Sequence, residues 1–259
     1  MNLPGAAARL ISTARIAVVF VLVTGGAAQG QVATASLPGD PCIEPAVRSA
    51  ETALADASTT HPSNADAASA IANATDPLLR QMITQRYPEI AQKQIRIRTF
   101  HSNYDYFRTR FSLSRFLLLR RMRYFVEVNP RLLSLSPPPH GVCAILGHEL
   151  AHVASMSHGS RIKLFGLVRL LGSDYTARFE RRTDLEAIHR GFAPGLKAYR
   201  AWIYVNIPQE KVAAKKKNYF TPSEIDAVLV RLQREPGIFD NWTRHVPLNM
   251  EQIEGPVHR

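Results

Sequence analysis

His148-Glu149-Leu150-Ala151-His152 interrupts a run, residues 141–154, that is otherwise apolar apart from its glycines. Few features restrict a chain more. A stretch this apolar belongs at the centre of a protein, yet three of its side chains carry charge or take up protons, and burying them requires compensation. Residues four apart on an α-helix share a face, so His148 and His152 can both offer a ring nitrogen to one metal ion at about 2.0–2.1 Å. Glu149 then stands beside the ion rather than on it. There its carboxylate can take a proton from water and pass it to a leaving amine, the division of labour in H-E-x-x-H metallopeptidases.

Two histidines and a water leave one protein ligand to find. His158, six residues after His152, gives the spacing of metzincins, but Ser155 stands where a metzincin turns sharply on glycine. The better candidate is Glu180, in Phe179-Glu180-Arg181-Arg182-Thr183-Asp184. On a helix Glu180 and Asp184 share a face, so Glu180 can bind metal while Asp184 receives the second ring N–H of a ligand histidine.

The order of Phe125-Val126-Glu127-Val128-Asn129, His148-Glu149-Leu150-Ala151-His152, His158-Gly159, Glu180-x-x-x-Asp184 and Gly191-Phe192-Ala193-Pro194 resembles the zinc metallopeptidases that include HtpX, BepA and the CAAX prenyl proteases. The similarity covers about residues 90–205. It implies one zinc ion held by His148, His152 and Glu180, Glu149 as general base, and an α+β, mainly α fold with a zincin-like (gluzincin) helical core and a small edge sheet. His158 falls one residue later than the usual downstream histidine. Arg244-His245-Val246-Pro247 is a degenerate version of a C-terminal His-Pro pair, through which His245 or Arg244 would stabilise an oxyanion.

At the other end, Arg9 and Arg15 precede an apolar run, Ile16 to Val23, followed by small residues up to Gly30. That order reads as a secretory signal peptide over residues 1–28, since the run is shorter than the ~20 residues of a membrane span. Export implies a periplasmic setting, with membrane association as a further option. Residues 29–43 read as a flexible leader. Residues 44–259 then form the metallopeptidase domain: a helical part to 90, the zinc core over 91–205 and a C-terminal helical part over 206–259.

The whole chain carries +11, and +9 without residues 1–28, which contain two arginines and no acid. An aromatic-basic recognition motif is missing, so nucleic acid is not expected as a partner. Anionic membrane surfaces suit the charge better, and residues 161–171, basic and apolar together, could lie on one or cover the cleft, although packing into the core is the commoner fate of such a run. Lys215-Lys216-Lys217 reads as a solvated loop. Cys42 and Cys143 permit one disulfide in an exported chain, and a small buried hydrophobe is the equal alternative for Cys143.

Strict alternation in Ile95-Arg96-Ile97-Arg98-Thr99-Phe100 predicts a half-buried strand, and Tyr124-Phe125-Val126-Glu127-Val128 a second. Asn103 to Phe107 is a turn or an extended edge, of a kind that could hold a peptide through backbone hydrogen bonds. The function expected is an exported zinc endopeptidase acting on protein or peptide substrates in cell-envelope quality control. The alternative is a zinc-stabilised binding protein or chaperone without significant hydrolysis.

Overall fold

The computed structural model describes residues 37–43, 52, 64–158 and 173–256. The signal-peptide reading, the helical reading of residues 44–57 apart from Thr52, and the run 161–171 fall outside them. The described chain is mainly helical with one small sheet, the α+β class expected. None of its helices is long and apolar enough to cross a membrane.

The first long helix, α1 (Asn64–Arg86), leads into strand β1 (Gln94–Thr99). Strand β2 (Phe107–Phe111), a short helix α2 (Leu113–Leu117) and strand β3 (Arg123–Val128) complete the sheet. Its order is β1-β3-β2, with β1 parallel to β3 from Gln94 opposite Arg123, and β2 antiparallel to it from Phe107 opposite Val128. Both expected strands are present within two residues at each end. Their periodicities differ for a physical reason: β1 alternates because its arginines face solvent, whereas the central strand β3 is covered on both faces. β1 and β2 are the two edges, and β2 begins at Phe107, the last residue of the segment read as turn or edge.

Helix α3 (Pro139–His158) is the axis of the fold. Every residue from Gly141 to Ala154 is buried, and α3 packs on α4 (Ser173–His189), α5 (Ala193–Asn206) and β2. It starts after the Pro137-Pro138 break, with Pro139 in the first turn where a missing N–H costs nothing. Close approach to α5 requires Gly195, because a Cβ there would lie 2.4 Å from the His140 carbonyl oxygen and 2.5 Å from the Ala144 Cβ.

The C-terminal part adds α6 (Gln209–Asn218), α7 (Pro222–Arg234), α8 (Ile238–Trp242) and α9 (Met250–Glu254). A reciprocal cap between Thr221 and Glu224 opens α7. The Lys215 run is the last turn of α6 rather than a loop. There the lysines oppose the negative end of the helix dipole, and Lys215 and Lys217 pair with Asp105 and Asp174.

Part of the presumed leader is also folded. Pro41–Ile43 forms a 3-10 turn, Cys42 is disulfide-bonded to Cys143 on α3, and Asp40 pairs with His140. The covalent tie and the ion pair hold this segment against the start of α3, where composition alone suggested flexibility.

Candidate metal centre

Two helices build the centre. α3 contributes His148, Glu149 and His152, and α4 contributes Glu180, Thr183 and Asp184. The Nε2 atoms of His148 and His152 both face Glu180 Oε2, at 3.3 and 3.1 Å. Their rings stand nearly perpendicular with centroids 4.7 Å apart, so the two nitrogens converge rather than stack. The three donor atoms lie within 4.8 Å of one another, a buried group able to bind a metal ion.

The opposite ring nitrogens are held as well. His148 Nδ1 lies 2.8 Å from Asp184 Oδ1, an ion-pair contact approached obliquely to the N–H direction. Asp184 is itself fixed by Arg200 at 2.8 Å and by the Phe220 backbone N–H at 3.0 Å. His152 Nδ1 lies 3.2 Å from Thr183 Oγ1, whose own proton goes to the Phe179 carbonyl. Thr183 therefore accepts from Nδ1–H, which makes Nε2, the nitrogen that meets Glu180, the one available to a metal. Sequence reasoning assigned one such partner, Asp184, and missed Thr183 because a threonine inside a charged helix carries no signal of its own.

Burial works against the charges of His148 and Glu180, and the neighbours override it. It would lower the His148 pKa, but the hydrogen bonding and charge of Asp184, then of Glu180, with the charge of Glu149, raise it to about 9 in the metal-free protein. Burial would raise Glu180, but the two histidines hold it far below the usual carboxylate range. Burial pushes the Tyr219 phenol up, helped by Glu180, so Tyr219 keeps its proton.

Glu149, His152, Glu180 and Tyr219 open on a cleft of about 490 Å³, otherwise walled largely by apolar side chains such as Phe107, Phe111 and Phe179. Strand β2 forms one side of it. From that strand Thr109 Oγ1 reaches Glu149 Oε2 at 2.7 Å and the Glu149 carbonyl oxygen at 3.0 Å.

Two predicted residues lie elsewhere. His158 turns its Nδ1 to the Ala154 carbonyl at 2.8 Å and lines a different cavity with Arg182, Glu186 and Arg190. It is not in the donor group, because α3 remains helical to His158 and cannot bring it back beside His152. His245 sits in a third cavity with Arg178, Trp242 and Glu251, since α8 and α9 pack on α7 and carry it away from the cleft. His245, read from the sequence as an oxyanion donor, does not line the cleft on which Glu149 opens. Tyr219 is the unforeseen polar group: it borders the cleft, with its ring 5.9 Å from that of His148.

No protein-family model matches the chain, and no curated protein and no solved structure matches it significantly.

Proposed function

We propose that the chain is a zinc-dependent endopeptidase of the gluzincin type, exported and active in cell-envelope protein quality control. One observation carries this reading: three buried donors of the His-His-Glu set converge, with Glu149 beside them and an open cleft in front. Ligands about 2.05 Å from a tetrahedral zinc stand about 3.3 Å from one another, which the separations of 3.3 and 3.1 Å match. Two imidazoles and one carboxylate, with no thiolate, are also the donor set of zinc hydrolases that keep a position open for substrate. The resemblance of the motifs to the HtpX and BepA group agrees with this reading, as does the export signal read from residues 1–28.

Zinc held by His148, His152 and Glu180 would supply Lewis acidity to water and to the substrate carbonyl. The rest of the chemistry belongs to side chains of this chain. Glu149 accepts a proton from the attacking water as its oxygen bonds to the peptide carbon. It returns that proton to the nitrogen as the C–N bond breaks. Thr109 holds the Glu149 carboxylate from the sheet side. Tyr219, protonated, is placed to donate to the oxygen on which negative charge develops. The outer edge of β2 can hold an extended peptide by backbone hydrogen bonds.

The test is zinc content and peptide hydrolysis measured on the same preparations. The unmutated chain should hold one zinc and cleave an unfolded protein such as casein. Glu149→Gln should keep the zinc and lose turnover by at least about 10³-fold, within the range for a general base that acts in both steps. Glu180→Ala should lose the zinc. Zinc retained by the unmutated chain without hydrolysis of casein would instead favour a zinc-stabilised binding protein, and absence of zinc from every sample would sink both.

A further inference from the structure

Away from the metal centre, the connection between β2 and β3 shows a surface that water does not explain. Leu113, Leu117, Leu118 and Leu119 are exposed to 58, 59, 62 and 77%. They are half of the eight large hydrophobic residues exposed among the described residues, and they lie within seven positions of one another. Scattered exposed leucines need no explanation, but a contiguous knob of four does.

The knob is built rather than frayed. Phe116 is buried and packs on Phe111 with centroids 5.5 Å apart, anchoring α2 to the sheet. The Ser112 N–H donates to the Arg123 carbonyl at 2.8 Å, and the Arg120 N–H to the Arg115 carbonyl at 2.9 Å, which closes the loop at its base. Leu119, the most exposed of the four, has φ of 53°. A leucine in the left-handed region is strained where glycine or asparagine would not be. Folding alone gives no reason for a large apolar side chain at that position.

Around the leucines the charge has one sign. Residues 107–124 contain six arginines and no acid. Of these, Arg108 pairs with Glu127 at 2.6 Å and Arg110 approaches the same carboxylate at 3.8 Å while staying largely exposed. Arg96 and Arg98 of β1, like Arg115, lie near enough to Arg123 to add to the same field. An apolar tip inside a basic collar matches the boundary of an anionic bilayer, where leucine enters the acyl region and guanidinium groups stay at the phosphates. A second copy of the chain would bring two such collars together and be repelled.

We propose that the segment carrying Leu113, Leu117, Leu118 and Leu119 is a wedge that docks the protein on a bilayer containing anionic phospholipid. Leu113 also lines the cleft, so docking sets the mouth of the cleft beside the membrane surface. The inference does not depend on peptidase activity, nor on residues 161–171.

The experiment is vesicle flotation of the full chain at physiological salt. The vesicles are phosphatidylcholine alone, or the same with roughly 30 mol% phosphatidylglycerol, enough to give the surface a negative potential. The apolar run Ile16 to Val23 is common to all variants, so differences between variants report the wedge. The chain should float more strongly with the anionic vesicles. Leu118→Ser/Leu119→Ser should weaken that partition by about 100-fold, and Arg120→Gln/Arg121→Gln by about 25-fold, roughly fivefold for each charge. Both pairs are on the surface, and unchanged melting will show that they fold.

A local readout completes it: Leu118→Trp should give blue-shifted emission with anionic vesicles. The inference is overturned if the unmutated chain does not prefer anionic vesicles, if the leucine variant floats equally well, or if the tryptophan emission stays put. A leucine-dependent dimer, or a leucine-dependent complex with an acidic protein, without vesicle binding would also overturn it and assign the knob to that partner.

Discussion

Thr109 Oγ1 lies 2.7 Å from Glu149 Oε2, so a hydroxyl on the sheet edge is aimed at the carboxylate proposed as general base. Its single proton can go to that oxygen or to the Glu149 carbonyl at 3.0 Å, and donation to the carboxylate fixes its direction toward the cleft. Thr109→Val keeps the volume and removes the donor. We expect kcat to fall about tenfold with zinc and KM little changed, because a misdirected base affects the chemical step and not binding. Unchanged kcat would make the contact purely structural.

In the proposed mechanism Tyr219 holds the place in which sequence reasoning set His245. Its phenol keeps a proton at neutral pH and borders the cleft, so Tyr219→Phe removes the donor proposed to meet developing charge. Loss of a single oxyanion donor lowers kcat by about 10²–10³-fold. His245→Ala should leave kcat alone, and comparing the two variants at saturating substrate decides between the positions.

The donor group was readable because helix geometry converts spacing into direction. His148 and His152 had to share a face, and Glu180 with Asp184 had to share another, whatever the fold around them. The strands of Ile95 and Tyr124 were readable by alternation and by β-branched and aromatic content. What escaped is what only tertiary packing creates. Thr109 meets Glu149 across 40 positions of chain, Tyr219 reaches the cleft after two further helices, and Arg181 is buried against Glu224 although its neighbours look solvated. His245 lines a different cavity for the converse reason, since a degenerate motif has no geometry until α8 and α9 are packed.

Metal and proton compete for His148. In the metal-free protein its pKa stands at about 9, above the ordinary 6.5, so at neutral pH the ring is protonated and metal uptake must expel that proton. Zinc affinity should therefore rise about tenfold per pH unit from neutrality towards pH 9, followed by chelator competition. Stability of the metal-free protein should move the other way. A raised folded-state pKa contributes stability that is complete below 6.5 and fades as pH rises through about 9, so its melting temperature should drop over that window. A flat zinc affinity would show that the His148 ring is already neutral over that range.

The Cys42–Cys143 disulfide closes 101 positions of chain and ends on α3, five residues before His148. Cross-linking so long a loop removes about 4–5 kcal/mol of unfolded-chain entropy. For a protein of this size, Cys42→Ala/Cys143→Ala should lower the melting temperature by about 8–20 °C. Zinc should stay bound at room temperature, since neither sulfur is a donor. Scanning calorimetry of the variant against the oxidised chain gives the number.

Asp184 has two duties, and they can be separated. Its fully buried carboxylate orients His148 and also neutralises the buried Arg200. Asp184→Asn should cost about 3–5 kcal/mol, because it strands the guanidinium, and should weaken zinc binding by about 10–100-fold, because it loosens the ligand histidine. Adding Arg200→Met removes the stranded charge, so the double variant should recover most of the stability. Zinc affinity should not recover, since His148 still lacks its carboxylate. Denaturant unfolding and zinc competition on the three proteins check both halves. Recovery of both quantities together would mean that Asp184 serves only to pair Arg200, and that His148 needs no second partner to hold its metal.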